Sequence, residues 1–232
     1  MTGRIAWVAA AYLVGTFPAT FVIAKLKGAH GLLAAAGRDA GETDAHLLMT
    51  RYLGARWSSL AATTDVLKAL LFTLAARAWG DLPPEWLAMV GVALVIGHAF
   101  PFYATQMAGR GMTATAGVLL VLLPWEMVLC GLIILAGIAV KNSGLASTIG
   151  LATVPIAAAV QGQPEAYVAM SVVILVLIMI RRLQGVGEVV ASGVSPVRAV
   201  LSRCVLDATP APGSQRRGAS EPYGEQAPPG TV

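Results

Sequence analysis

The residues able to do chemistry in this chain are few, and most lie where charge is costly. Asp65 and Lys68 sit three positions apart inside an apolar run, which puts them on one face of a helix. They read either as an ion pair that neutralises itself or as a brace for an anion site on neighbouring loops. The segment Ala108-Gly109-Arg110-Gly111-Met112-Thr113 precedes another apolar run. Its glycines let backbone approach a ligand, a helix N-terminus offers free N–H groups, and the arginine fork suits phosphate. The plain alternative is a tight membrane turn with an arginine that sets topology. Gly37-Arg38-Asp39-Ala40-Gly41-Glu42-Thr43-Asp44 has the composition of a second polar pocket. It reads equally as a solvated turn before an interfacial helix bearing Leu47, Leu48, Arg51 and Tyr52. His98 stands alone in its apolar run, three residues before Pro101. It is a packing group or an orienting one.

Other chemistries find no support. There is no Gly-x-Ser-x-Gly elbow, and Cys130 and Cys204 lie far apart, so neither a disulfide framework nor a metal site is indicated. His30, His46 and His98 show no ligand spacing, and no metal or cofactor is expected. Of the 232 residues, 56% are hydrophobic and only 12% charged, about half the charged share of a soluble domain. The mean hydropathy is +0.72. These values exclude a soluble enzyme, a nucleic-acid-binding module and a disordered chain, and they select an integral membrane protein.

The elements that must position these residues are apolar spans of roughly 20 residues. Candidates cover 5–24, 58–79, 86–104, 112–140, 143–161 and 165–183. The first has no small-residue cleavage signature and reads as a retained span. The 112–140 stretch is too long for one crossing and divides at Pro124-Trp125-Glu126, a helix start with an interfacial aromatic. With that division every basic loop falls on one side. The 25–57 loop carries Lys25, Lys27, Arg38, Arg51 and Arg56; Arg110, Lys141 and the arginines from Arg181 onward lie on the same side. Asp81, Glu85, Glu126 and Glu165 lie on the other. The positive-inside rule therefore predicts an all-α integral membrane protein of seven transmembrane helices, with the N-terminus outside and the C-terminus cytoplasmic. Residues 1–190 form the membrane domain. Residues 191–232, rich in Pro, Gly and Ser, form a polar tail expected to be largely disordered.

Four motifs in order carry a resemblance over about residues 5–190. They are Gly15-Thr16-Phe17-Pro18 with Ile23-Ala24-Lys25-Leu26-Lys27-Gly28, Asp65-Val66-Leu67-Lys68, Gly97-His98-Ala99-Phe100-Pro101, and Ala108-Gly109-Arg110-Gly111-Met112-Thr113-Ala114. Together they resemble the bacterial acyl-phosphate:glycerol-3-phosphate acyltransferases of the PlsY type, seven-span enzymes that make lysophosphatidic acid. The resemblance implies a multi-pass protein of the bacterial inner (plasma) membrane in phospholipid synthesis. Its implied partners are acyl phosphate, glycerol-3-phosphate and membrane lipids, with no nucleic acid and no cofactor. Arg38, Thr43, Arg51, Lys68, Gly109, Arg110, Gly111 and Thr113 are the implied phosphate-binding residues, and Asp39 or His98 would orient the glycerol hydroxyl. An acyl phosphate has a good leaving group, so proximity and charge stabilisation can carry the reaction without a covalent nucleophile.

The sequence departs from the family pattern at several positions. Gly37 stands in place of a serine, Asp39 and Asp44 in place of asparagines, and Arg110 in place of the loop lysine. In the last span the family's histidine and asparagine fall on Val176 and Met179. Two readings follow: an acyltransferase, or a catalytically impaired relative that binds lipid or a membrane partner. A transporter is disfavoured, because no repeated pair of broken helices is present.

Overall fold

The computed structural model describes residues 1–17, 19–39, 45–103 and 109–207, with the side chains of 36–39 left out, and all regular structure in them is helical. The chain begins with α1 (Thr2–Gly15), α2 (Ala19–Leu26), α3 (His30–Asp39) and α4 (Ala45–Leu53). Then come α5 (Ala55–Trp79), α6 (Pro84–Ala99), α7 (Met112–Leu122), α8 (Pro124–Ala139), α9 (Ser143–Val160) and α10 (Glu165–Leu183). Two short helices, α11 (Val186–Ala191) and α12 (Pro196–Cys204), close the described part.

Prolines set several of these boundaries. The first apolar run is two helices rather than one, because a proline at 18 has no N–H to give and disfavours helical backbone in the residue before it. The 112–140 run divides at Pro124, which is the first residue of α8. The helix expected over 86–104 stops at Ala99, ahead of Pro101. The long 25–57 loop is mostly helical. Its α4 turns Leu48 and Met49 inward against Leu33 and Ala61, while Leu47 and Tyr52 stay exposed.

Thr2–Leu26, α5, α9 and Glu165–Ala191 are long and apolar enough to cross a bilayer, and α6, α7 and α8 are shorter apolar helices. Leu71, Leu132, Leu135, Ile156 and Val160 are all exposed on these helices, an apolar surface suited to lipid. The protein is an all-helical integral membrane protein. Its core runs from Leu94 and Val95 of α6 to Val118 and Leu119 of α7 and Ile174 and Ile178 of α10. Helix backbones approach closely at small residues, as membrane helices do. Gly15 of α1 lies against Leu94 and Gly97 of α6, Gly117 of α7 against Val66 and Ala69 of α5, and Gly150 of α9 against Cys130 of α8.

The boundary expected at 190 falls inside α11, and ordered packing continues past it. Val189, Val194 and Ala199 form a small buried cluster, and Arg203 is buried. Residues 208–232, where most of the disordered tail is expected, lie outside the described residues.

Candidate functional site

One end of the bundle gathers the C-termini of α1, α6 and α10 with the N-termini of α7 and α9, and the polar side chains collect there. At the other end Arg77, in the last turn of α5, donates to the carbonyl of Val121 near the end of α7, 2.6 Å away.

The first cluster centres on Lys68. Its ammonium sits 2.8 Å from Asp65 Oδ1, with the carbonyl oxygens of Phe17 and Gly15 at 2.6 and 3.1 Å. The break between α1 and α2 frees those carbonyls, and a helix break at membrane depth needs such a donor. His98 Nδ1 is 3.4 Å from Lys68 Nζ and 3.6 Å from Asp65 Oδ1. The far side of that ring, Nε2, faces Thr113 Oγ1 at 3.4 Å. His46 Nε2 approaches the other carboxylate oxygen of Asp65 at 3.3 Å. The His46 carbonyl accepts from Ser58 Oγ at 2.9 Å, which ties α4 to α5. Donor atoms of His46, Asp65 and His98 lie within 4.8 Å of one another, a grouping able to take a metal ion. Here the Lys68 ammonium occupies the cation's place beside Asp65 and His98, so the group fits an ammonium rather than a metal.

The second element is the loop before α7. Gly109 lies close against the Nε2 side of the His98 ring, and a Cβ there would overlap Nε2. Gly111 caps α7 in the left-handed region at φ +94°, where a side chain would be strained. Arg181 Nε donates to the Gly109 carbonyl at 3.3 Å, and its guanidinium lies 5.7 Å from the Phe100 ring centre. Arg110 is buried and pairs with the carboxylate of Asp207. Arg182 is fully buried; it donates to Thr148 Oγ1 at 2.6 Å and to Ser147 Oγ at 2.8 Å, and lies 3.4 Å from Asp207 Oδ2. The outcome is a glycine loop at a helix N-terminus, backed by a histidine and surrounded by three buried guanidiniums. Such an arrangement binds anions.

The family model described as glycerol-3-phosphate acyltransferase matches residues 5–192. The chain belongs to that family. The glycerol-3-phosphate acyltransferase of Pseudomonas entomophila (strain L48) is 32% identical over 170 residues, covering 72% of this chain and 86% of the relative. That of Geotalea daltonii (strain DSM 22248 / JCM 15807 / FRC-32) is 29% identical over 188 residues, covering 80% and 93%. Among solved structures, the chain is similar to two crystal structures of PlsY (YgiH), an integral membrane glycerol 3-phosphate acyltransferase. The glycerol 3-phosphate form aligns at TM-score 0.68 and 28% identity, covering 81% of this chain and 92% of that one. The lysophosphatidic acid form aligns at TM-score 0.67 and 26% identity, covering 85% and 98%.

Within this acyltransferase-family fold, the residues singled out in the sequence divide into groups. Lys68, His98, Gly109, Arg110, Gly111 and Thr113 come together at one end of the bundle. Arg51 is exposed in the last turn of α4. Arg38 and Asp39 end α3, with side chains outside the description, and Thr43 lies outside the described residues. Val176 is half exposed on α10, whereas Met179 packs partly against the core. Sequence reasoning missed His46, Arg181, Arg182 and Asp207. Two adjacent arginines in the last turn of an apolar helix were one signal, since a pair one residue apart cannot both reach the headgroups along one face. His46 and Asp207 carry no such local mark.

Proposed function

We propose that this chain transfers a fatty acyl group from acyl phosphate to glycerol-3-phosphate, giving lysophosphatidic acid and inorganic phosphate at the bacterial inner membrane. The reading rests above all on the Gly109–Thr113 loop, seated on His98 at the start of α7 and ringed by arginines. In this reading the acyl phosphate places its phosphate against the loop N–H groups and Arg110, with its chain among the exposed apolar helix faces. Gly109 and Gly111 allow the approach, and Thr113 adds a hydroxyl. Lys68 acts through the frame it holds. Arg38, Thr43 and Arg51, around the α3–α4 connection, hold the acceptor's phosphate. His98 or Asp39 orients the glycerol hydroxyl, which attacks the acyl carbon while the phosphate leaves with the electron pair of the broken C–O bond and takes up the hydroxyl proton. Two phosphates held side by side supply the proximity that the reaction needs, and the guanidiniums stabilise the charge that develops.

Seven passes with the N-terminus outside and the site cytoplasmic agree with four long and three shorter apolar helices and with the basic loops clustering at the site's end. A cysteine introduced at 82–84, in a chain lacking Cys130 and Cys204, should react with an impermeant reagent from outside. One introduced at 40–44 should not, and the reverse pattern would invert the orientation.

The second reading, a relative that binds but does not turn over, is favoured by the apolar Val176 and Met179. Purified protein given palmitoyl phosphate and glycerol-3-phosphate separates the two. Lysophosphatidic acid detected by mass spectrometry supports the enzyme, and binding without product supports the impaired relative.

A further inference from the structure

The carboxylate of Asp207 reaches, from the segment after α12, two guanidiniums that the membrane helices bury. It pairs with Arg110 of the loop, and its Oδ2 is 3.4 Å from Arg182 Nη2. Arg110 is 6% exposed and Arg182 0%. The segment carrying Asp207 is seated in a place shaped for it. Arg182 Nη1 donates to the Cys204 carbonyl at 3.1 Å. The Thr148 hydroxyl lies 3.2 and 3.0 Å from the carbonyl oxygens of Cys204 and Val205. Gly144 has no Cβ, and one there would collide with the backbone of Leu206. Beside the carboxylate opens a cavity of about 580 Å³, lined in part by Lys141, Asn142 and Ser147.

Two guanidinium forks converging on one carboxylate make a geometry that serves a phosphate equally well. Two buried cations side by side also require an anion. We propose that Arg110 and Arg182 form one anion subsite, held by Asp207 in the absence of substrate and taken over by a substrate phosphate that displaces the carboxylate. A phosphate dianion brings more charge and more acceptor oxygens than one carboxylate, and the adjacent cavity gives it room. The chain therefore carries an internal competitor for its own substrate. This inference rests on the loop's reading as a phosphate site; the phosphate is that of the acyl donor or of the glycerol acceptor.

The test uses the full-length protein in detergent, as wild type, Asp207→Asn and Gly144→Ala. If the carboxylate fills the subsite about nine-tenths of the time, freeing it lowers one apparent KM by about tenfold while kcat stays within about twofold. A fall in the KM for palmitoyl phosphate assigns the subsite to the donor, and a fall in that for glycerol-3-phosphate assigns it to the acceptor. Gly144→Ala pushes on the Leu206 backbone but keeps the carboxylate, so it lowers the same KM by a smaller factor. A turnover-free readout is maleimide labelling of Cys204, followed by peptide mass; Cys130 is buried. Inorganic phosphate, against chloride at matched ionic strength, should speed Cys204 labelling in wild type and leave Asp207→Asn, already fast, unchanged. A turning-over wild type whose two KM values are both untouched by Asp207→Asn overturns the proposal. If the wild type itself does not turn over, the acyltransferase reading has failed. Labelling then decides this one alone: a rate insensitive to phosphate in wild type overturns it.

Discussion

Two clusters of charge flank the Gly109–Thr113 loop, and they are built in opposite ways. Asp65, Lys68 and His98 form a closed set: the ammonium meets a carboxylate and two backbone carbonyls of the α1–α2 break. The partners are parts of the bundle itself. In the Arg110–Arg182–Asp207 cluster the cations are just as buried, but their carboxylate arrives on a segment that follows the last membrane helix. One cluster is a fixed brace that holds a helix break and the back of the loop. The other has an anion that can leave. Burial alone therefore does not separate structural charge from binding charge; the origin of the counter-ion does.

The largest expected effect is at Asp65. Asp65→Ala leaves the Lys68 ammonium buried without its carboxylate, and removing one partner of a buried pair costs about 3–5 kcal/mol. Unfolding in mixed micelles should show that loss, and Asp65→Asn combined with Lys68→Met should recover much of it. Unchanged stability in Asp65→Ala would mean that the brace carries no load.

At the exchangeable cluster the expected effect is on binding. Arg110→Ala should weaken acyl-phosphate binding by about 1.5–3 kcal/mol, the worth of a hydrogen bond to a charged group. The loss should be larger in the Asp207→Asn background than in wild type, because in wild type the same substitution also loosens the competing carboxylate. Isothermal titration in the two backgrounds measures the difference, and equal losses would uncouple Arg110 from Asp207.

Gly109→Ala tests the contact between brace and loop. Its Cβ would meet the His98 ring, so kcat/KM should fall about tenfold, or roughly 1.4 kcal/mol, with little change in unfolding. The smallest effect belongs to α10. Val176→His with Met179→Asn should raise turnover by up to about fivefold, near 1 kcal/mol, because Val176 is half exposed on that helix. A larger gain would bring the outward face of α10 into the reaction.

Much of the architecture was legible in the sequence because it is local. Apolar runs report helices, Pro124 reports a helix start, and two residues three apart report one face, so Asp65 and Lys68 could be paired before any fold was known. The glycines at 109 and 111 marked a close backbone approach, and the four ordered motifs carried the family. Other features needed the packed chain. The α1–α2 break gave Lys68 its extra acceptors, and the 25–57 stretch became helices once Leu48 and Met49 had a partner surface.

Periodicity along one chain tells which residues share a helix face, but it does not tell which faces meet. His46 and Asp65 sit on different helices joined by an intervening turn, and no spacing rule brings an imidazole from one to a carboxylate on the other. Arg110 and Asp207 are 97 positions apart, and their pairing depends on α12 docking beneath α9 and α10. The residue order alone marked the apolar helices, the start of α8 at Pro124 and the glycine loop before α7. Packing set which charges pair within the bundle and which take their counter-ion from the segment after α12, because only the folded chain brings residues so distant in sequence together.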